Sequence, residues 1–174
     1  FAHMRPSIRG VLKQGEPNTD YLVTQVCNKT NSYGIYLTQP ALDFDPNYNQ
    51  LETNLYKQEI KNLIKDKKIK YVFDIHGLSN KHQYDIGIMF CMRFRKSKDL
   101  AYKLVEYLNK QRELRGLSYY VGYNSKNLQE SVTEFVSEKL KRPCIQIEIA
   151  QYIREDKALL ASFIKGISKL ISEL

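Results

Sequence analysis

The chain has 174 residues, of which 43% are hydrophobic and 26% are charged, and its formal net charge is +8. These values are ordinary for one globular domain with a real core, and the sequence has no low-complexity stretch. No apolar run approaches the length needed to span a bilayer, which argues against a membrane-spanning protein. Net charge alone is weak evidence for nucleic acid. Because no zinc-finger or RNA-binding aromatic signature accompanies it, the sequence does not favour a nucleic-acid partner.

Helical and strand patterns alternate along the chain. Apolar residues at helical spacing predict helices over about 20–32, 51–68, 97–108, 125–140 and 155–174. Ser97 is predicted to cap the third of these helices. Short apolar runs predict strands over about 34–38, 71–76, 86–92, 119–121 and 144–150. This alternation predicts a single α/β domain over 1–174, with a mixed, mostly parallel sheet and helices on both faces.

The three cysteines are too few and too widely spaced for a disulfide framework or a CxxC metal knuckle. Each of Cys27, Cys91 and Cys144 lies in an apolar context. They are therefore predicted to be buried free thiols, in a protein of the reducing cytoplasm.

One predicted strand ends in polar residues that a core strand does not need. After the apolar run Tyr71-Val72-Phe73 come Asp74, His76 and the turn residue Gly77. Residues two apart in a strand share a face, so the carboxylate and the imidazole are expected side by side at the carboxyl end. Open α/β sheets bind their ligands at that end. The alternative is that Asp74 merely satisfies His76 at the end of the strand.

A second apolar run, over 144–150, has Glu148 in its middle. An unpaired carboxylate in a buried strand costs several kcal/mol, so this position indicates either chemistry or a partner. The alternative is an edge strand with Gln146 and Glu148 on its wet face.

A catalytic zinc site needs three protein ligands and an open position for water, and the chain has only three histidines. His76 is the best candidate ligand, with Asp74 beside it as the residue that orients the ring. Glu148 would be the general base for a metal-bound water. His3 has two interpretations: the last residue of a strand, or part of a His-Met cloning remnant.

Four segments, in this order, resemble motifs of the N-formylglutamate amidohydrolase family, whose fold is similar to that of zinc carboxypeptidases. They are Ala2-His3-Met4, Asn18-Thr19-Asp20-Tyr21, Tyr71 to Gly77 and Ile145 to Ala150. The resemblance covers roughly residues 1–155.

This resemblance implies a single zinc ion held by His3, Asp20 and His76, with Glu148 as the catalytic carboxylate. It implies hydrolysis of an amide bond in an N-acyl or acidic amino-acid substrate, a small molecule or a short peptide. It also leads us to expect that the strand before His3 is missing from this chain.

The segments that shape the substrate pocket in that family differ here. Its Asn-Arg pair is replaced by Phe44-Asp45-Pro46, and its Arg-x-x-Gly-Gly stretch by the sequence from Tyr123 to Asn127. N-formylglutamate is therefore not carried over as the substrate. The candidates for substrate binding are Arg5, Arg9, Arg93 and Arg154, together with Asp85, which lies in an Asp-x-Gly segment that resembles the family's third motif.

Two other functions remain open at this point. The altered pocket segments are compatible with a binding protein that has the hydrolase fold and no activity. The +8 charge is compatible with a binder of nucleic acid or of an anionic surface. The sequence does not determine the oligomeric state.

Overall fold

The computed structural model describes residues 16–37, 47, 54–123 and 130–174, together with the backbone of 3–4 and 12–13. Its strands are β1 (His3–Met4), β2 (Leu12–Lys13), β3 (Val72–Leu78), β4 (Ile86–Phe90), β5 (Tyr119–Tyr123) and β6 (Cys144–Ala150). Its helices are α1 (Thr19–Thr30), α2 (Leu55–Asp66), α3 (Arg95–Asn109), α4 (Val132–Glu134), α5 (Gln151–Glu155) and α6 (Lys157–Ser172). No helix in the described ranges is both long and apolar enough to cross a membrane.

Four strands form the main sheet in the order β3-β6-β4-β5. The pairs β3–β6 and β4–β5 are parallel, and β4–β6 is antiparallel. The mixed α/β sheet predicted from the sequence is therefore confirmed. The remaining described strands, β1 and β2, pair with each other in antiparallel fashion.

Alternation along β6 explains how the sheet separates its two faces. Ile145, Ile147 and Ile149 are fully buried, whereas Gln146 and Glu148 are only partly buried. The isoleucine face packs against α1, α3 and α6 in the larger hydrophobic core. On the opposite face, Cys144 belongs to a smaller core with α2 and α4. Helices thus cover both faces of the sheet. Gln146 and Glu148 lie on the same face as the smaller core, after Cys144 in the direction of the strand.

The predicted strand over 34–38 is wrong in the described part, because residues 32–37 form no strand. Gly34 instead approaches α1 closely. A Cβ built on it would lie 2.8 Å from Val23 and 2.9 Å from Cys27. The lack of a side chain at Gly34 lets this segment pack against a helix. A short apolar run in a sequence does not show whether a segment packs against a helix or pairs with a strand.

Ser97 does not cap α3, which begins at Arg95. Its side chain is buried, and its hydroxyl oxygen accepts a hydrogen bond from the Cys144 backbone N–H at 3.0 Å. The hydroxyl therefore joins the helix to the start of β6. A serine before an apolar helical run has the sequence signature of a cap, but here the residue at the cap position is Phe94, and Ser97 lies inside the first turn.

Two other predicted helices have different bounds. The helix predicted over 125–140 begins, within the described residues, after the cap Ser131 and continues as a π-helix over Phe135–Lys139. The helix predicted over 155–174 is α6, which begins at Lys157. Its cap is Asp156, whose carboxylate accepts hydrogen bonds from the Ala158 and Leu159 N–H groups. The preceding short helix α5 turns the chain directly after β6.

Candidate active site

The site is built at the carboxyl end of β3. Asp74 and His76 are two residues apart on this strand and project from the same face, as the sequence predicts. They are directly opposite Gln146 and Glu148 on β6. Because paired residues of neighbouring strands point the same way, the sheet brings these four polar side chains together on one face.

Two carboxylates flank the imidazole of His76. Asp74 Oδ2 lies 3.2 Å from Nε2, and Glu16 Oε2 lies 3.6 Å from Nδ1. The amide nitrogen of Asn47 is 3.4 Å from Nε2. Burial on its own would lower the pKa of His76, but the charges and hydrogen bonds of Asp74 and Glu16 outweigh it and raise that pKa well above its ordinary value.

Glu148 lies on β6, between β3 and β4. The alternative of an exposed edge strand is therefore wrong within the described sheet. Its Oε1 accepts a hydrogen bond from Gln146 Nε2 at 3.1 Å. Glu148 is half-buried and directly opposite His76. The carboxylate thus has a fixed neighbour and a defined position next to the imidazole.

Sequence reasoning missed Glu16, the second carboxylate at His76. It precedes α1, and its backbone carbonyl accepts a hydrogen bond from Thr19 Oγ1 at 2.8 Å. Gly77 also allows the approach, since a Cβ there would lie 3.0 Å from Glu16 Cβ. The available signal was weak, an acidic residue between Gly15 and Pro17 in a loop with no periodicity.

Asp20 and Asp85, two other predicted site residues, lie in different surroundings. Asp20 is in the first turn of α1 and lines the same groove as His76. The carboxylate of Asp85 accepts hydrogen bonds from the backbone N–H and the hydroxyl of Ser118, both at 2.7 Å. Burial on its own would raise the pKa of Asp85, but the hydrogen bonds from Ser118 and Tyr152 outweigh it and lower that pKa. The described contacts of Asp85 thus join the starts of β4 and β5.

Arg154, predicted to bind substrate, is 3% exposed. Its guanidinium donates to the carbonyl oxygens of Pro17, Ile149 and Leu78. The carbonyl of Arg154 in turn accepts from Asn18 Nδ2 at 2.8 Å. In this structure Arg154 fastens the loop that carries Glu16 to the ends of β3 and β6.

Three of the predicted site residues, His3, Arg5 and Arg9, lie near the start of the sequence. His3 in β1 pairs through its backbone with Lys13 in β2, and the side chain of His3 lies outside the described part of the chain. Arg5 and Arg9 also lie outside it. Arg93, by contrast, is described; its side chain is 83% exposed and lies 3.8 Å from Glu138.

The described residues fit part of a metal site. No three His, Cys, Asp or Glu among them are arranged to hold a metal ion. However, Nδ1 of His76 faces a carboxylate, a donor pair that suits a divalent ion. Asp74 Oδ2 is buried and lies within ion-pair distance of Nε2, yet no described donor is oriented to hydrogen-bond it. A hydrogen bond donated to this oxygen by Nε2–H would leave Nδ1 for a metal.

A groove of about 660 Å³ leads to these residues. It runs between α1, α2 and β3, and most of its walls are apolar. Glu16, Asp74 and His76 are among the residues that line it. The imidazole of His76 and its two carboxylate neighbours are therefore reachable from the groove.

Comparison with known proteins places the fold among the amidases. No family model matches the sequence, and no curated protein sequence matches it significantly. Solved structures do match. The N-acetylmuramoyl-L-alanine amidase of Clostridium difficile 630 has a TM-score of 0.58 at 13% identity, over 90% of this chain and 82% of that one.

Two further amidases give similar values. The catalytic domain of CwlV, an N-acetylmuramoyl-L-alanine amidase of Bacillus (Paenibacillus) polymyxa var. colistinus, has a TM-score of 0.58 at 15% identity, over 88% and 80% of the two chains. AmiC2, the same kind of amidase from Nostoc punctiforme, has a TM-score of 0.58 at 12% identity, over 97% and 87%. This chain has the amidase fold. The resemblance to amide-hydrolysing enzymes is thus supported at the level of the fold, and the particular N-formylglutamate amidohydrolase family is not.

Proposed function

We propose that this protein is a zinc-dependent hydrolase of amide bonds. The observation that carries the proposal is the position of Glu148 directly opposite His76, whose Nδ1 faces the Glu16 carboxylate at 3.6 Å. A metal-holding imidazole and carboxylate next to a separate, half-buried carboxylate are the parts that a metal-dependent hydrolase needs. The amidase fold of the chain supports the same conclusion.

His76 and Glu16 would hold the ion, and His3, as the sequence resemblance implies, would complete the set. Asp20, the carboxylate ligand suggested by the sequence, competes with Glu16 for this role. When bound, zinc would polarise the amide carbonyl and make water a better nucleophile at neutral pH. Asp74 would keep the proton on Nε2 of His76 and so fix the ring for ligation through Nδ1.

Glu148 would do the proton transfer. Its carboxylate would take a proton from the attacking water and deliver it to the departing amine nitrogen. Gln146, which donates to Oε1 at 3.1 Å, would leave the other carboxylate oxygen to face the reacting atoms. The partner is then a small molecule or a short peptide that carries the amide.

The first candidate substrate contains the amide bond between an N-acetylmuramoyl group and L-alanine, which appears in the names of the structural neighbours. N-acyl amino acids form the second group. The experiment is to measure zinc per chain and amine release from both groups. Zinc near one per chain with amine release supports the proposal. A protein that binds zinc but cleaves no amide contradicts it and favours a binding protein with this fold.

A further inference from the structure

The row of residues that contains His76 and Glu148 continues across the sheet. Glu148 is opposite His76 on one side and Gly87 on the other, and Gly87 is opposite Tyr120 on β5. Residues in register on neighbouring strands share a face, and the strands lie about 4.8 Å apart. Tyr120 therefore belongs to the same face as the proposed catalytic carboxylate, two strands away.

Two glycines let two tyrosine rings lie against this face. A Cβ built on Gly87 would lie 2.8 Å from Tyr84 Cε2, and one built on Gly122 would lie 2.7 Å from Tyr120 Cζ. Any side chain at either position would push the ring away from the sheet. The absence of side chains at Gly87 and Gly122 leaves room for the two rings.

The rings of Tyr84 and Tyr120 form a stacked pair, with centroids 5.1 Å apart and planes 22° apart. His82 adds a third ring, 5.8 Å from Tyr84. Tyr120 is 45% exposed and Tyr84 is half-buried. Burial, and then the nearby charge of Glu148, raise the pKa of Tyr84, so its hydroxyl stays neutral. The pair, here called the tyrosine shelf, is thus an uncharged aromatic surface that adjoins the carboxylate.

We propose that the tyrosine shelf binds a ring with an apolar face, either a pyranose or an aromatic ring, on the substrate. Such rings stack on tyrosine, which offers a wide apolar face and a hydroxyl at its edge. From the strand spacing, the ring would lie roughly 5–10 Å from the bond that is cut. The shelf would then select substrates that carry a ring on one side of the amide over otherwise equal substrates that do not.

This inference rests on the proposed function for the identity of the cleaved bond, and a kinetic test uses that bond. Three amides of L-alanine are compared, with a muramoyl, a phenylacetyl or an acetyl group on nitrogen. Tyr120→Ala is expected to lower kcat/KM about tenfold for the ring-bearing substrates, through KM, and to leave the acetyl substrate unchanged. Tyr120→Phe should retain the preference. Tyr102→Ala changes a similarly exposed tyrosine on α3 and should alter nothing. An equal loss on all three substrates, or no loss, overturns the inference.

A binding test separates this inference from the proposed function, since it needs no turnover. Chemical-shift titrations use an N-acetylglucosamine oligosaccharide and N-acetyl-phenylalanine amide as probes. Binding that weakens about tenfold in Tyr120→Ala but not in Tyr102→Ala supports the shelf even if no amide is cleaved, and the probe that binds identifies the kind of ring. If the unsubstituted protein binds neither probe, or if Tyr120→Ala binds them equally well, the shelf is not a ring subsite.

Discussion

Glu16 Oε2 lies 3.6 Å from Nδ1 of His76, although the first residue comes from the loop before α1 and the second from the end of β3. The candidate metal site is therefore shared between a loop and the sheet. Its two parts can be tested separately, because His76 belongs to a strand whose two faces pack in the two hydrophobic cores, whereas Glu16 belongs to a turn held by Arg154.

Zinc affinity should depend on Glu16 more than on Asp20. Glu16→Gln removes the carboxylate that faces Nδ1, and we expect zinc affinity to fall by more than about 100-fold, beyond the usual cost of losing an outer-shell partner. Asp20→Asn is the matched control, one residue inside α1 in the same groove. Competition with a chromophoric chelator gives both affinities. A large loss with Asp20→Asn alone would return the ligand role to the residue implied by the sequence resemblance.

Turnover should depend on Glu148 without a loss of metal. Glu148→Gln keeps the shape and the hydrogen-bonding capacity of the side chain but removes the base, so we expect kcat to fall by at least about 100-fold. Zinc content should remain that of the unsubstituted protein. His76→Ala, in comparison, should lose the metal as well. Retained turnover in Glu148→Gln would show that another group handles the proton.

Zinc binding should strengthen as pH rises. Burial alone would lower the pKa of His76, but the Asp74 and Glu16 carboxylates raise it well above its ordinary value, so the metal-free imidazole keeps its proton to higher pH than a free histidine does. Zinc must displace that proton. Affinity should therefore rise about tenfold per pH unit until the pH exceeds the raised pKa, and then level off.

Calorimetry in buffers of different ionisation enthalpy would show about one proton released per zinc below that pKa. Asp74→Asn removes one of the charges that raise the pKa. In that variant the levelling-off should move to lower pH. A pH-independent affinity in the unsubstituted protein would mean that His76 is not a ligand.

Arg154 should matter for stability first and for the site second. Arg154→Ala removes buried charged donors from three backbone carbonyls, and we expect the free energy of unfolding to fall by about 3 kcal/mol. Zinc affinity should fall too, because the Glu16 loop loses its anchor. Arg112→Ala, at an exposed arginine, serves as the control for denaturant unfolding. Unchanged stability in Arg154→Ala would show that the loop is held by other contacts.

The sheet part of the site was predictable because strand periodicity is simple. Asp74, His76 and Glu148 each interrupt an apolar run, and alternation of side chains was enough to infer a shared face. Glu148 lies opposite His76 because β3 and β6 are parallel neighbours in the sheet, and no local sequence pattern predicts which strands are neighbours.

Contacts made by loops and turns could not be predicted in the same way. Glu16 reaches His76 through a turn without periodicity, and no pattern around Arg154 indicates that its guanidinium is buried against backbone carbonyls. The tyrosine shelf depends on the register of β4 against β5, since only that pairing brings Gly87 opposite Tyr120. Ser97 was misassigned for a related reason, because its partner Cys144 is distant in the chain.

The position of Arg154 has a consequence for the order in which the molecule is made. The loop that carries Glu16 is synthesised before the side chain that fastens it, because Arg154 belongs to α5, which follows β6. Long-range contacts form late, because a long stretch of chain must first be closed into a loop. A nascent chain halted before Arg154 would therefore lack the anchor for Glu16, and metal loading would be reserved for chains whose synthesis has passed β6.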